Sequence, residues 1–210
     1  MRILQIVFLA ALCLCFALPA AAQYIGILQS AETMNRGTFK LMAAPIMVFG
    51  KDGADDELGV AVRGGYAFTE QFDLEAKLGF FENGTYLGVD GEYWIFRGSE
   101  KNSGLDFSLT GGLHWMLGGD NSFDTMGFEV MPQLSGHVTD NLELYGALNA
   151  SFESIKDAPH GVDNSFTRLH LVPGIEYRLS DTLDFAAEIG IGINDNSSNY
   201  VGAGLSYYFR

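Results

Sequence analysis

The sequence predicts an all-β fold in which antiparallel strands follow one another up and down and close into a barrel. Three observations predict it. The C-terminal stretch Tyr200-Val-Gly-Ala-Gly-Leu-Ser-Tyr-Tyr-Phe-Arg210 puts Val201, Ala203, Leu205, Tyr207 and Phe209 on one side of an extended chain and Gly202, Gly204, Ser206 and Tyr208 on the other, since successive side chains of a strand point to opposite faces. Secondly, one phrase is written three times, as Thr69-Glu-Gln-Phe-Asp-Leu74, Thr139-Asp-Asn-Leu-Glu-Leu144 and Ser180-Asp-Thr-Leu-Asp-Phe185. Its hydroxyl residue and acid favour a tight turn, because short side-chain oxygens accept hydrogen bonds from nearby backbone N–H groups. Its last three residues restart a period-two strand. Thirdly, the chain of 210 residues is 48% hydrophobic with 26 glycines, 16 phenylalanines and only 5 prolines, a composition of many strands and turns. Beyond residue 22 no stretch approaches the roughly 18 consecutive apolar residues of a membrane helix. Such a chain enters lipid only as a closed barrel, because lipid cannot satisfy an open sheet edge.

The first 22 residues read as a signal peptide. Arg2 supplies the positive region, Ile3 to Leu18 is apolar, and Pro19-Ala-Ala-Ala22 ends in small residues, so that cleavage is expected before Gln23. Both cysteines, Cys13 and Cys15, leave with it, and the mature chain then has no disulfide, thiolate metal site or thiol nucleophile. Its removal takes away one base and no acid, moving the formal charge from −14 to −15. With no basic patch to neutralise phosphates, nucleic acid is not an expected partner. Residues 23–35 show weak periodicity and read as a lead-in from the periplasm, with the barrel domain from residue 36 to 210.

Ten strands are expected. The first spans Gly37–Gly50. The second, Leu58–Phe68, carries Val60, Val62, Tyr66 and Phe68 in alternation and runs into the first repeated turn. The third, Phe72–Phe81, leaves that turn with Phe72, Leu74, Ala76, Leu78 and Phe80 outward and Asp73, Glu75 and Lys77 inward. Tyr86–Phe96 follows, and then Leu105–Leu117, with Leu105, Phe107, Leu109, Leu113 and Trp115 outward and Asp106, Ser108, Thr110 and His114 inward. Met126–Val138 and Phe166–Leu179 run into the second and third repeated turns. Leu142–Phe152 and Leu183–Ile193 leave them, and Tyr200–Phe209 is last. Eight strands, with one hairpin miscounted, is the alternative. Pro45, Pro132 and Pro173 interrupt this pattern because proline cannot donate to a ladder. The equivalent placement of Pro132 and Pro173, each eight residues before a turn acid, suggests β-bulges.

Apolar alternation ending in Leu205, Tyr207 and Phe209 resembles the C-terminal assembly signal of bacterial outer-membrane β-barrels, and the repeated hairpins resemble their periplasmic turns. The resemblance covers about Arg36 to the end. It implies a Gram-negative outer membrane, lipid and lipopolysaccharide around the barrel, and uptake by the barrel-assembly machinery. It also implies that Arg97-Gly-Ser-Glu-Lys-Asn-Ser-Gly104 is periplasmic. The connections Lys51–Glu57, Glu82–Thr85, Gly118–Thr125, Ile155–Ser165 and Asn194–Asn199 are then external. All are short, which disfavours an adhesion module.

Parity turns many ionisable groups inward: Lys40, Arg63, Glu75, Lys77, Asp90, Glu92, Asp106, Glu129, Glu143, Glu153, Arg168, Glu176, Arg178 and Glu188. One reading is the lining of a narrow, porin-like pore. The other is a salt-bridged filling, because small barrels are usually filled by their own side chains. A structural or porin-like protein without enzymatic chemistry, cofactor or metal is therefore expected. His114, His137 and His170, with Ser108, Ser135, Glu129 and Glu176, also outline a serine hydrolase. That outline resembles the outer-membrane lipid A deacylases, and ten strands with inward acids are similar to the omptin proteases. Neither family's local motif is present. Asp52-Gly-Ala-Asp-Asp-Glu57 is acidic enough for weak divalent binding, but a solvated loop explains it as well.

Overall fold

A computed structural model describes residues 25–51, 54–98, 104–118, 124–156 and 164–209. The expected signal segment, residues 23–24, Arg210, residues 52–53 and much of the connections at 97–104, 118–125 and 155–165 lie outside that set. Ten strands appear: β1 Phe39–Val48, β2 Glu57–Ala67, β3 Phe72–Phe81, β4 Gly84–Arg97, β5 Asp106–Gly118, β6 Thr125–Thr139, β7 Leu142–Ile155, β8 Ser165–Ser180, β9 Leu183–Gly192 and β10 Tyr200–Phe209. Each pairs antiparallel with its sequence neighbours, and β1 pairs with β10, so the sheet is a closed up-and-down barrel. The eight-strand alternative is thereby removed.

The three repeated turns share one end of the barrel and are built as their residues dictate. Thr69 Oγ1 accepts from Gln71 N at 3.1 Å, Thr139 Oγ1 from Leu142 N at 3.1 Å, and Ser180 Oγ from Thr182 N at 3.4 Å. Each hydroxyl thereby satisfies a backbone donor that the turn removes from the ladder.

Alternation is maintained along the strands. On β3 Leu74 and Phe80 are exposed while Asp73, Glu75 and Lys77 are buried. On β5 Leu109, Leu113 and Trp115 are exposed while Asp106, Ser108, Thr110 and His114 are buried. The outside is thus an apolar belt and the inside is polar. Sliding one strand by a residue would exchange the two sets, at about 2–4 kcal/mol for each Lys or Arg placed at the bilayer midplane. At the seam, Phe39 stands opposite Phe209 with ring centroids 5.7 Å apart.

The prolines do something simpler than the sequence suggests. Register is kept across all three, and the irregularities fall elsewhere, between Trp94 and Phe96, His137 and Thr139, and Arg178 and Ser180. Pro45 keeps its pairing with β2 and interrupts the ladder only towards β10. Pro132 pairs with β5 and interrupts only towards β7, and Pro173 pairs with β7 and interrupts only towards β9. A missing N–H costs one side of a ladder and needs no extra residue, so the expected bulges at Pro132 and Pro173 do not form.

The larger departure lies before β1. Residues 25–34 are not outside the barrel, as a periplasmic lead-in would be. They enter at the turn end and run up the lumen, leaving Ile25, Ile27, Leu28 and Ala31 at 0–2% exposure. Gly37 N donates to Ala67 O at the turn end, whereas Ile25 lies against Gly79, near the far end of β3. The buried cluster therefore joins this segment to inward side chains of the wall, among them Met42, Ile46, Tyr86, Met116 and Tyr200.

Candidate functional site in the barrel lumen

Inside the barrel the backbone of the N-terminal segment meets side chains of β2, β3, β6, β8 and β9. Ile27 N and Leu28 N donate to the two carboxylate oxygens of Glu188 on β9, at 2.8 and 2.6 Å. Ser30 N donates to Glu176 on β8 at 2.8 Å, and Ala31 N to Ser135 Oγ on β6 at 3.1 Å. Ile27 O accepts from Arg63, and Gln29 O from Gln133 Nε2. The Gln29 side chain accepts from Lys40 Nζ at 2.6 Å and donates to Glu92 at 2.7 Å. An irregular segment inside a barrel has no ladder of its own, and buried backbone groups must find partners. Here the wall supplies them.

The seat on Glu188 depends on backbone conformation. Gly26 has φ +74° and Leu28 φ +51°, so the chain curls and aims successive N–H groups at one anion, the concave arrangement known as a nest. A Cβ on Gly26 would lie 2.4 Å from Glu188 Oε1, so glycine alone suits both the angle and the space. Leu28 holds a left-handed conformation that costs a residue with a Cβ about 1–2 kcal/mol, and its side chain is buried. Tyr145 and Tyr200 complete the seat, their hydroxyls donating to Glu188 at 2.8 Å each. Tyr200 reaches it by lying across Gly190, where any Cβ would collide with the ring. Four neutral donors thus hold this carboxylate.

Around the segment runs a chain of charges. Glu75 pairs with both Lys40 and Arg63. Lys77 pairs with Asp90 and, at 3.1 Å, with Glu129, which also accepts from Asn149 Nδ2 at 2.9 Å. Ser108 Oγ donates to Glu92 at 2.5 Å. Arg63 and Lys77 stand directly opposite one another on β2 and β3, as counting from the intervening turn requires. Nearer the far end His114 stacks on Tyr86 with centroids 5.5 Å apart, and Glu153 lies 3.7 Å from His114 Nε2 and 3.5 Å from Arg168 Nε.

Of the inward residues singled out from the sequence, Lys40, Arg63, Glu75, Lys77, Asp90, Glu92, Asp106, Glu129 and Glu188 are buried inside the barrel. Arg168 and Glu176 are half-buried. Arg178, on the same face of β8 as Glu176, is exposed where the lumen opens at the turn end. There it lines a cavity of about 210 Å³ together with Glu32, Glu143, Glu176 and Asp184. The serines and histidines of the hydrolase outline have other partners. Ser108 bonds Glu92, Ser135 bonds Ala31 N, His137 Nε2 lies 3.0 Å from Glu32, and His170 Nε2 lies 3.0 Å from Ser198 O.

A closed antiparallel barrel with an apolar belt and a polar interior defines a transmembrane β-barrel. The chain belongs to the outer membrane protein β-barrel domain family, whose model matches residues 8–209, and the family's place is the outer membrane. No curated protein matches the sequence. Among solved structures, the chain is similar to the COG4313 outer membrane channel from Pseudomonas putida F1, at 10% identity and TM-score 0.57, over 85% of this chain and 98% of that one. It is also similar to the KdgM porin in complex with disordered oligogalacturonate, at 14% identity and TM-score 0.46, over 81% and 99% of the two chains. A de novo designed transmembrane β-barrel aligns at 21% identity and TM-score 0.41, over 85% and 99%.

Proposed function

We propose that this protein is a narrow outer-membrane channel held closed by its own N-terminal segment, and that its lumen groups serve packing and electrostatics without catalysis. The observation that carries this reading is the docking of residues 27–31, whose backbone is bonded mainly to polar side chains of the wall. Those hydrogen bonds can be exchanged for bonds to water at little net cost, while the apolar cluster that Ile25, Ile27 and Leu28 share with Met42, Ile46 and Tyr86 favours the closed state. The segment is therefore a stopper that the lumen can release and still remain soluble within. Once vacated, the lumen presents more carboxylates than bases, and small cations would pass in preference to anions. Export with cleavage before Gln23 leaves the stopper nearly at the mature N-terminus. The outer belt faces lipid and lipopolysaccharide, and β10 presents Leu205, Tyr207 and Phe209 to the assembly machinery.

The test is conductance in planar bilayers. The full mature chain is expected to be silent, and a variant lacking residues 23–34 to open a cation-selective conductance while keeping its heat-modifiable mobility. A folded deletion variant as silent as the parent would overturn the proposal.

A further inference from the structure

Glu32, on the N-terminal segment, meets His137 on β6 and Glu143 on β7 at the turn end of the lumen, and each offers one ligand atom within 4.8 Å of the others. We propose that these three residues form a binding site for a divalent transition-metal ion of the Zn²⁺ class, which ties the N-terminal segment to the barrel wall. The proposal rests on that segment occupying the lumen and is independent of whether the segment is ever released.

The geometry supports it at four points. His137 and Glu143 are direct cross-strand partners, so two of the ligands are set by the ladder. The third is already in place, with His137 Nε2 and Glu32 Oε1 3.0 Å apart. Metal–ligand bonds of about 2.0–2.2 Å in tetrahedral geometry put donor atoms roughly 3.4 Å apart, so closing the set needs side-chain movement of only about 1 Å. Glu32 and His137 are partly exposed, with side-chain exposures of 25% and 35%, and have room to move.

Glu143 points the same way from the inside. It is 5% exposed, and its Oε1 has no hydrogen-bond partner among the described residues. It also stands directly across from Glu176, and like charges in that relation destabilise a sheet. A dication bound by Glu143 removes both penalties. The adjoining cavity of about 210 Å³, lined by Glu32 and Glu143, gives room for a water molecule as fourth ligand. One imidazole with two carboxylates and an open position suits Zn²⁺, because nitrogen ligands favour it over Mg²⁺ or Ca²⁺.

The experiment titrates the folded mature protein in detergent with ZnCl₂ by calorimetry, and with CoCl₂ by visible absorption. One saturable site per chain is expected, with Ca²⁺ and Mg²⁺ binding at least tenfold more weakly. Glu32→Gln and His137→Ala are each expected to weaken Zn²⁺ at least tenfold while leaving the barrel heat-modifiable, since neither side chain is deeply buried. The variant lacking residues 23–34 loses Glu32 and should behave likewise. Absence of a saturable site, Ca²⁺ binding as tight as Zn²⁺, or unchanged affinity in both point variants would overturn the site. None of these outcomes depends on conductance, so the site and the closed-channel reading fail separately.

Discussion

Arg63 is held between an acid of the wall and a carbonyl of the N-terminal segment. It is 2% exposed, pairs with Glu75 and donates to Ile27 O. Truncating one member of a buried charge pair commonly costs about 3–5 kcal/mol. Lys40 still meets Glu75, so Arg63→Ala is expected at the low end, a loss of about 3 kcal/mol in urea unfolding of the detergent-folded barrel. Its conductance is expected to stay silent, because Ile25 to Ala31 still occupy the lumen. A loss below about 1 kcal/mol, typical of a solvated pair, would mean that water fills this part of the barrel.

Among the elements, β10 both closes the barrel and ends the described chain. Its outward face carries Val201, Leu205, Tyr207 and Phe209. Phe209 contacts Phe39 across the seam, and its ring centroid lies 4.8 Å from that of Tyr207. Phe209→Ala removes aromatic contacts worth about 0.5–1.5 kcal/mol from the strand that closes the barrel. Quantitative blotting of membrane fractions should show less protein in the outer membrane and more degradation in the periplasm. Normal outer-membrane levels would show that the terminal aromatic is dispensable for assembly.

For the whole molecule, the closed sheet, the apolar belt and the filled lumen make a protein that is stable only with its outside in lipid or detergent. Edman sequencing of the mature protein should begin at Gln23. On fractionation the protein should go with the outer membrane and migrate differently before and after boiling. A soluble periplasmic product, or a retained N-terminus at Met1, would contradict this. The charges inside follow from the same closure. A barrel of this width leaves little room for bulk water, so each inward acid needs a base, a hydroxyl or a backbone N–H.

Strand number, strand face and the three hydroxyl turns were legible in the chain order, because each depends on neighbours within a few residues. Period-two alternation placed Asp73, Glu75 and Lys77 inside, and Thr69, Thr139 and Ser180 marked turns by bonding their own backbone. Counting from one such turn put Arg63 level with Lys77. The course of residues 25–34 was not legible in this way. Ile25-Gly-Ile-Leu-Gln-Ser-Ala31 has no strand or helix period, and its partners Arg63, Ser135, Glu176 and Glu188 lie 36 to 161 residues away. The trace it left was indirect, an excess of inward acids over inward bases that some other donor had to meet. The grouping of Glu32 with His137 and Glu143 is of the same kind, since only the threading of the segment brings Glu32 to a pair that the β6–β7 ladder had already set. Local alternation determined the barrel by itself. Closing it created an interior whose unpaired polar groups decided what would fill it.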